Sequence, residues 1–289
     1  YIAPELTILA EHMFREGVSE QSFAQSPDSL ICVAANSGAL ILMTYERDQQ
    51  MIAATPRKLG GSFSGSLFGI VESVATIPGA MRDEIWVIVK RTINGATKRY
   101  VERLAAPFEN MDKEDAFFVD SGLSYNGAPT GSFSGLDHLE GETVSILADG
   151  SVIPDQVVSS GSVTLPGGKT ASVVHIGLPY VSRARTLDNP QSKGDGSGLG
   201  RRKRIVKALI DLYETGSCEI GTSRKTEQII LRNVSDPMDA SAPLFSGVKE
   251  VRWDSSWKDG DVRGEVVIEC DQPLPATIRA ITPVLETEP

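Results

Sequence analysis

Histidine and cysteine are scarce in this sequence, three of each among 289 residues. Cys32, Cys218 and Cys270 fall in separate segments, with no Cys-x-x-Cys pair and no cysteine at ligand spacing from a histidine, so the chain offers no zinc or iron–sulfur ligand set. Unpaired cysteines of this kind read as buried thiols. His12, His138 and His175 lie far apart, and none has a local partner that would make it a general base. No metal, cofactor or catalytic residue is predicted. There is no run of about eighteen apolar residues, and no basic start leading into an apolar stretch with a cleavage site, so neither a membrane helix nor a secretion signal is written here. Basic residues are outnumbered too, 28 Lys and Arg against 38 Asp and Glu, for a net charge of −10. A protein that grips nucleic acid through its phosphates needs the opposite balance. A surface along which DNA must slide does not, because like charge repels the polyanion.

What the chain does contain is strand grammar. Hydrophobic residues make up 40% and charged residues 23%, ordinary for a folded protein long enough for two or three domains. Tyr1 opens the sequence, so the first domain is expected to continue beyond it. Leu6, Leu9, Ala10, Met13 and Phe14 recur at helical spacing between Pro4 and Gly17, which predicts one helix over 4–17 with its apolar stripe on the core. Strands are predicted over 30–34, 39–45, 70–77, 85–90 and 100–104, with hairpin turns at Asn36-Ser37-Gly38 and Ile93-Asn94-Gly95. Strands joined in this way resemble a propeller blade. The Gly60-Gly61-Ser62-Phe63-Ser64-Gly65-Ser66 stretch lacks the lysine and following helix of a phosphate loop, and a flexible loop is predicted. An acidic connector over 106–120, carrying Asp112-Lys113-Glu114-Asp115, reads as a solvated boundary, although paired carboxylates can serve glycoside hydrolysis.

From Leu136 to Tyr180 short β segments and turns follow one another closely, as in a small barrel or sandwich. Asp149-Gly150 is predicted to form a type I′ hairpin turn between the strands that begin at Thr143 and Val152. Beyond a Gly- and Ser-rich stretch over 189–198 comes Arg201-Arg202-Lys203-Arg204, a candidate contact for nucleic acid or an acidic partner. The alternative is a charged flank guarding the next strand from other chains. Strands over 205–213, 218–221, 228–231, 248–253, 262–269 and 277–281 then predict a second β-sandwich. Trp253 and Trp257 flank Asp254-Ser255-Ser256, a possible sugar platform, though core aromatics are the commoner use. The fold expected is mainly β: a helix and propeller-like antiparallel sheet over 1–116, a small β-barrel or sandwich module over 117–185, and a C-terminal β-sandwich over 186–289.

Two blocks carry a resemblance. Leu139-Glu140-Gly141, Val144, Ala148-Asp149-Gly150 and Ile176-Gly177-Leu178-Pro179-Tyr180 form one. Pro27-Asp28-Ser29-Leu30, Gly38-Ala39-Leu40, Leu42-Met43-Thr44-Tyr45-Glu46-Arg47, Gln49-Gln50, Val71-Glu72-Ser73-Val74-Ala75, Asp83-Glu84-Ile85-Trp86, Arg91-Thr92-Ile93-Asn94-Gly95 and Arg99-Tyr100-Val101-Glu102 form the other. In this order, over roughly half the chain, they resemble tail hub and nozzle proteins of short-tailed bacteriophages. Met51-Ile52-Ala53-Ala54 stands where that family carries aromatics, so a contact surface there is expected to differ. The resemblance implies a structural virion protein rather than an enzyme. It would be made in the host cytoplasm and assembled as a homo-oligomeric ring with other tail or portal-adaptor subunits around a channel for the leaving genome. A carbohydrate-binding tail adhesin is the alternative, and a hydrolase built on Asp112 to Asp115 is the third class.

Overall fold

The computed structural model describes residues 5–46, 48–188, 201–253 and 263–287. Where a helix is predicted over 4–17, the described part is a 3-10 turn at Ile8–Ala10 followed by one α-helical turn, α1 (Glu11–Phe14). The correction has a packing reason. Leu9 is 90% exposed, so that part of the expected apolar stripe meets water, while Ala10 is buried and Met13 and Phe14 pack on Val33, Ala35 and Ile41. A helix this short depends on neighbours, and it has them on one side only. Gly17, at φ +90°, ends it as the sequence suggests.

Four strands follow as a meander, β1 (Val18–Ala24), β2 (Leu30–Ala35), β3 (Leu40–Glu46) and β4 (Met51–Arg57), hydrogen-bonded in that order. A second meander comprises β5 (Ile70–Ile77), β6 (Glu84–Ile93) and β7 (Ala96–Arg103). The two sheets pack through Ala24, Cys32, Ala34 and Leu40 on one side and Val71, Val74, Ile85, Val87 and Val89 on the other. Two strands escape the periodicity. β1 reads Val-Ser-Glu-Gln-Ser-Phe-Ala and buries little but Ala24. β4 pairs only with β3 and carries Pro56, which an edge strand tolerates because its N–H position can face away from the ladder.

The middle of the chain supplies β8 (Asp120–Thr130), β9 (Ser132–Ser134), β10 (Thr143–Ala148), β11 (Ser151–Val157), β12 (Ser162–Thr164) and β13 (Ala171–Leu178). β11, β10, β13 and β8 form one antiparallel sheet in that order, and β9 pairs with β12. Phe133, Leu136, Leu139, Val144, Ile146, Val163 and Val174 are among the side chains of its core. Among the described residues no sheet closes on itself.

The turn from β10 to β11 is the predicted one. Asp149 and Gly150 both sit at positive φ, 44° and 69°, between the paired Ala148 and Ser151, as a type I′ turn requires. The Asp149 carboxylate also accepts from the backbone N–H groups of Ser172 (3.0 Å) and Val173 (2.9 Å), fixing the turn to the neighbouring strand β13. A Cβ on Gly150 would lie 3.2 Å from the Ser241 hydroxyl. Gly150→Val therefore adds crowding to left-handed strain and should cost on the order of 1–2 kcal/mol. An unchanged denaturant midpoint would contradict this.

The last part contains β14 (Ser182–Arg185), β15 (Lys203–Thr215), β16 (Glu219–Gly221), β17 (Thr226–Gln228), β18 (Phe245–Arg252), β19 (Val267–Cys270) and β20 (Thr277–Thr287). Two antiparallel sheets result, β14-β19-β16-β17 and β18-β15-β20. Ile205, Ala208, Ile210 and Leu212 of β15 share one core with Cys218, Ile220, Val266, Ile268 and Leu285. The long alternation of β15 makes it the central strand of its sheet, buried at every other position along much of its length.

Candidate functional site

The basic run does not form a single basic face. β15 begins within it, and strand alternation separates its members. Lys203 is 3% exposed and lies beside Gly264. Arg204 faces Glu286 across the β15–β20 pair and donates to its Oε2 from Nε at 2.8 Å. Arg202 is exposed and Arg201 partly so. The first sheet residues of a long central strand thus absorb half of the run.

Polar groups converge instead at the junction between the N-terminal sheets and the middle module, around Arg91 on β6. Alternation turns Arg91 to the inner side of its sheet, where it is 0% exposed. Its guanidinium makes a two-pronged ion pair with Glu102 of β7, Nη2 to Oε2 at 3.0 Å and Nη1 to Oε1. Its Nε donates to the Gly60 carbonyl at 2.7 Å. The Gly60 N–H in turn donates to Asp120 Oδ2, the first residue of β8, at 2.6 Å. The chain from Glu102 through Arg91 and the Gly60 peptide to Asp120 crosses from one module to the next.

Glycine makes the approach possible. A Cβ on Gly60 would stand 2.6 Å from the Pro179 carbonyl and 3.0 Å from the Leu178 Cβ, and one on Gly61 would stand 2.8 Å from the Arg91 Cδ. The flexible loop predicted over 60–66 is consequently a packed hairpin. Leu59 pairs with Gly69 and Phe63 with Ser66, Thr92 N donates to Ser62 O at 2.8 Å, and the Lys90 ammonium sits 4.5 Å above the Phe63 ring. The reason sequence reading misses this is that the partners come from distant segments.

Electrostatics follow from the enclosure. The Asp120 residue keeps some exposed surface, but its carboxyl end is surrounded, and burial pushes it up to about 6. The Gly60 N–H, Arg91 and Arg57 oppose that shift, and Glu102 reinforces it. Tyr180, also enclosed, is pushed up to about 12 by burial and by Asp120. On the outer face the reverse holds: Glu72, hydrogen-bonded between Arg99 and Lys90, is held at about 2.

Further contacts bind the two modules. Ile93, at the tip of the β6–β7 hairpin, belongs to the middle module's core, and Tyr100 packs against it. The Tyr100 hydroxyl donates to the His138 carbonyl at 2.8 Å, and the two rings meet edge to face. His138 Nε2 lies 2.8 Å from the Ser121 carbonyl. His175 Nε2 lies 3.0 Å from the Glu114 carbonyl, which fixes the proton there and leaves Nδ1 to accept from the Ser124 hydroxyl at 2.7 Å. His175 thus ties the acidic connector to β13 beside Phe117, its edge-to-face neighbour. The connector is a packed seam and not merely a solvated boundary: Phe108, Ala116 and Phe118 meet Leu147 and Leu274, and Lys113 donates to the Ala242 carbonyl at 2.8 Å. Asp112, Glu114 and Asp115 are exposed. His12 is exposed. Trp253 packs against the C-terminal core, whereas Trp257 and the 189–198 stretch lie outside the described residues.

Among the described residues no three His, Cys, Asp or Glu side chains gather as a metal site, and no helix is long and apolar enough to cross a membrane. No protein-family model matches this chain, and no curated protein matches it. Its chemistry must be read from the geometry alone, and the densest geometry is a joint between modules.

Proposed function

We propose that the chain is a structural subunit of a phage tail, a hub or nozzle piece that helps to wall the channel through which the genome leaves. The observation that carries this reading is the joint around Arg91. The two blocks that resemble hub and nozzle proteins fold on either side of it, tied by the Gly60 N–H to Asp120 hydrogen bond that buried Arg91 braces, a shared core residue at Ile93 and the Tyr100 hydroxyl on the His138 carbonyl. A wall that keeps its bore open while a polyanion passes needs such stiffness between modules. The four-stranded order β1-β2-β3-β4 is that of one propeller blade, the arrangement the reading assigns to the N-terminal region. The partners in this reading are further copies of the chain in a ring and neighbouring tail or portal-adaptor subunits, in the virion. An adhesin would present its tryptophans outward, and Trp253 lies against the core. Imaging the particle with this chain labelled should place it around the tail axis; a label on peripheral fibres would overturn the proposal.

The conduit also predicts poor DNA binding. With Lys203 buried and Arg204 engaged with Glu286, the exposed Arg202 is the run's main phosphate contact, for a slope of log affinity against log salt of about −1. The dissociation constant at physiological salt should stay weaker than about a micromolar, and tighter binding would contradict a channel that lets DNA slide.

A further inference from the structure

Cysteines at 218 and 270 are distant in sequence, but the register of the C-terminal sheet brings them together. β16 and β19 run antiparallel with Glu219 opposite Glu269, Ile220 opposite Ile268 and Gly221 opposite Val267. One step further along the same register sets Cys218 opposite Cys270. Directly opposed residues of an antiparallel pair have Cα atoms about 4.5 or 5.5 Å apart, and both values lie within the range of about 4.4–6.8 Å that a disulfide spans. Opposed side chains also share a face. That holds here, since Cys218 and Cys270 both pack into the core that contains Ile220 and Ile268. Burial, and after it the nearby Cys270, raises the Cys218 thiol. Cys270 is held on its other side by Ser182 of β14, so its backbone is fixed from both edges. The third cysteine, Cys32, is buried in the N-terminal core and belongs to a different cluster.

We propose that Cys218 and Cys270 are a cross-strand dithiol that a small-molecule disulfide such as oxidised glutathione converts to an intramolecular disulfide. The inference rests on strand register and does not depend on the tail reading. Cys270, which keeps some exposed surface, is the attacking thiol, and Cys218, 1% exposed, is the resolving one. In the first step the Cys270 thiolate forms a bond to one glutathione sulfur, the glutathione S–S bond breaks, and the second glutathione leaves as a thiolate that takes up a proton. In the next step Cys218, losing its proton to water, attacks the Cys270 sulfur and expels the remaining glutathione. Two protein thiols lose two electrons and one glutathione disulfide gains them. Burial pushes Cys270 up to about 11 and Cys218 up to about 12, so few molecules carry a thiolate at neutral pH. Closure is therefore slow, and its rate should rise about tenfold per pH unit between pH 7 and 9. Such a pair stays reduced through brief exposure to an oxidant and closes on prolonged exposure.

The test uses the whole chain with oxidised glutathione at pH 8.5, followed by unfolding, alkylation and peptide mass mapping. The expected product has lost two hydrogens, carries a peptide linking residues 218 and 270, and is alkylated at Cys32 alone. Its thermal midpoint should rise by roughly 5 °C or more and fall back when the disulfide is reduced. Cys218→Ser should stop at one bound glutathione, and Cys32→Ser should leave the linked peptide unchanged. If prolonged oxidation of the unaltered chain leaves Cys218 and Cys270 both open to alkylation, or halts with glutathione on Cys270, or links Cys270 to a second molecule, the pair does not close and the proposal fails.

Discussion

Arg91→Met should lower the stability of the protein by about 3–5 kcal/mol, because it leaves Glu102 without its cation and the Gly60 carbonyl without its donor inside the joint. Methionine fills much of the space, so the loss isolates the polar network from simple cavity formation. The damage should be directional. Hydrogen exchange should accelerate first at the Gly60 N–H, which donates to Asp120, and the Thr92 N–H, which donates to the Ser62 carbonyl, while β15 and its neighbours stay protected. Glu102→Gln should cost less, since the amide oxygen still accepts from the guanidinium. A variant Arg91→Met with an unchanged denaturant midpoint would show that the joint contributes nothing to holding the modules together.

Asp120→Asn should stabilise the protein at pH 8 by about 2–3 kcal/mol and change little at pH 4. A carboxyl group raised to about 6 on folding binds its proton more tightly in the folded state than in the unfolded chain. The stability it lends is fully present below the ordinary carboxylate range and is lost as pH rises through about 6. Asparagine keeps an acceptor for the Gly60 N–H without a charge to enclose, so the variant escapes that loss. Glu72 runs the other way, its favourable pairing being lost as pH falls through the carboxylate range towards 2. Both proteins carry Glu72, so the difference between variant and wild type isolates Asp120. A stability difference that is the same at pH 4 and pH 8 would refute this account.

Local chemistry made the strands and turns of this chain legible. Asp149-Gly150 and Asn94-Gly95 demand positive φ at both positions and have it. β6 alternates buried and less buried residues along its whole length, which is why its strand is plain in the sequence. Where tertiary contacts decide, the sequence is silent. β1 and β4 lack a clean alternation because one buries almost nothing and the other is an open edge. The 4–17 helix shrinks because Leu9 has nothing to pack on. The glycines at 60 and 61 look like slack, yet they are the positions where backbone must come within reach of Arg91 and Pro179. Arg91 itself looks like any charged residue on a strand, and its burial is set by Glu102 on the next strand together with a loop thirty residues earlier. Likewise, the run at 201–204 looks like one patch in sequence, and only the pairing of β15 with β20 divides it.

The C-terminal sandwich sets a timetable for synthesis. The two N-terminal meanders join neighbours through short turns, and each strand finds its partner almost as soon as both have left the ribosome. β14 is different, because its partner β19 is separated from it by four intervening strands, and β15 likewise waits for β20. At roughly 5–20 residues per second, β14 and the inner face of β15 remain unmatched for several seconds while the rest of the chain emerges. The unmatched apolar face of β15 is what neighbouring nascent chains can capture in that interval. Slower translation after Thr215 should therefore increase aggregation of the nascent chain, whereas slower translation between β3 and β4 should leave its yield unchanged.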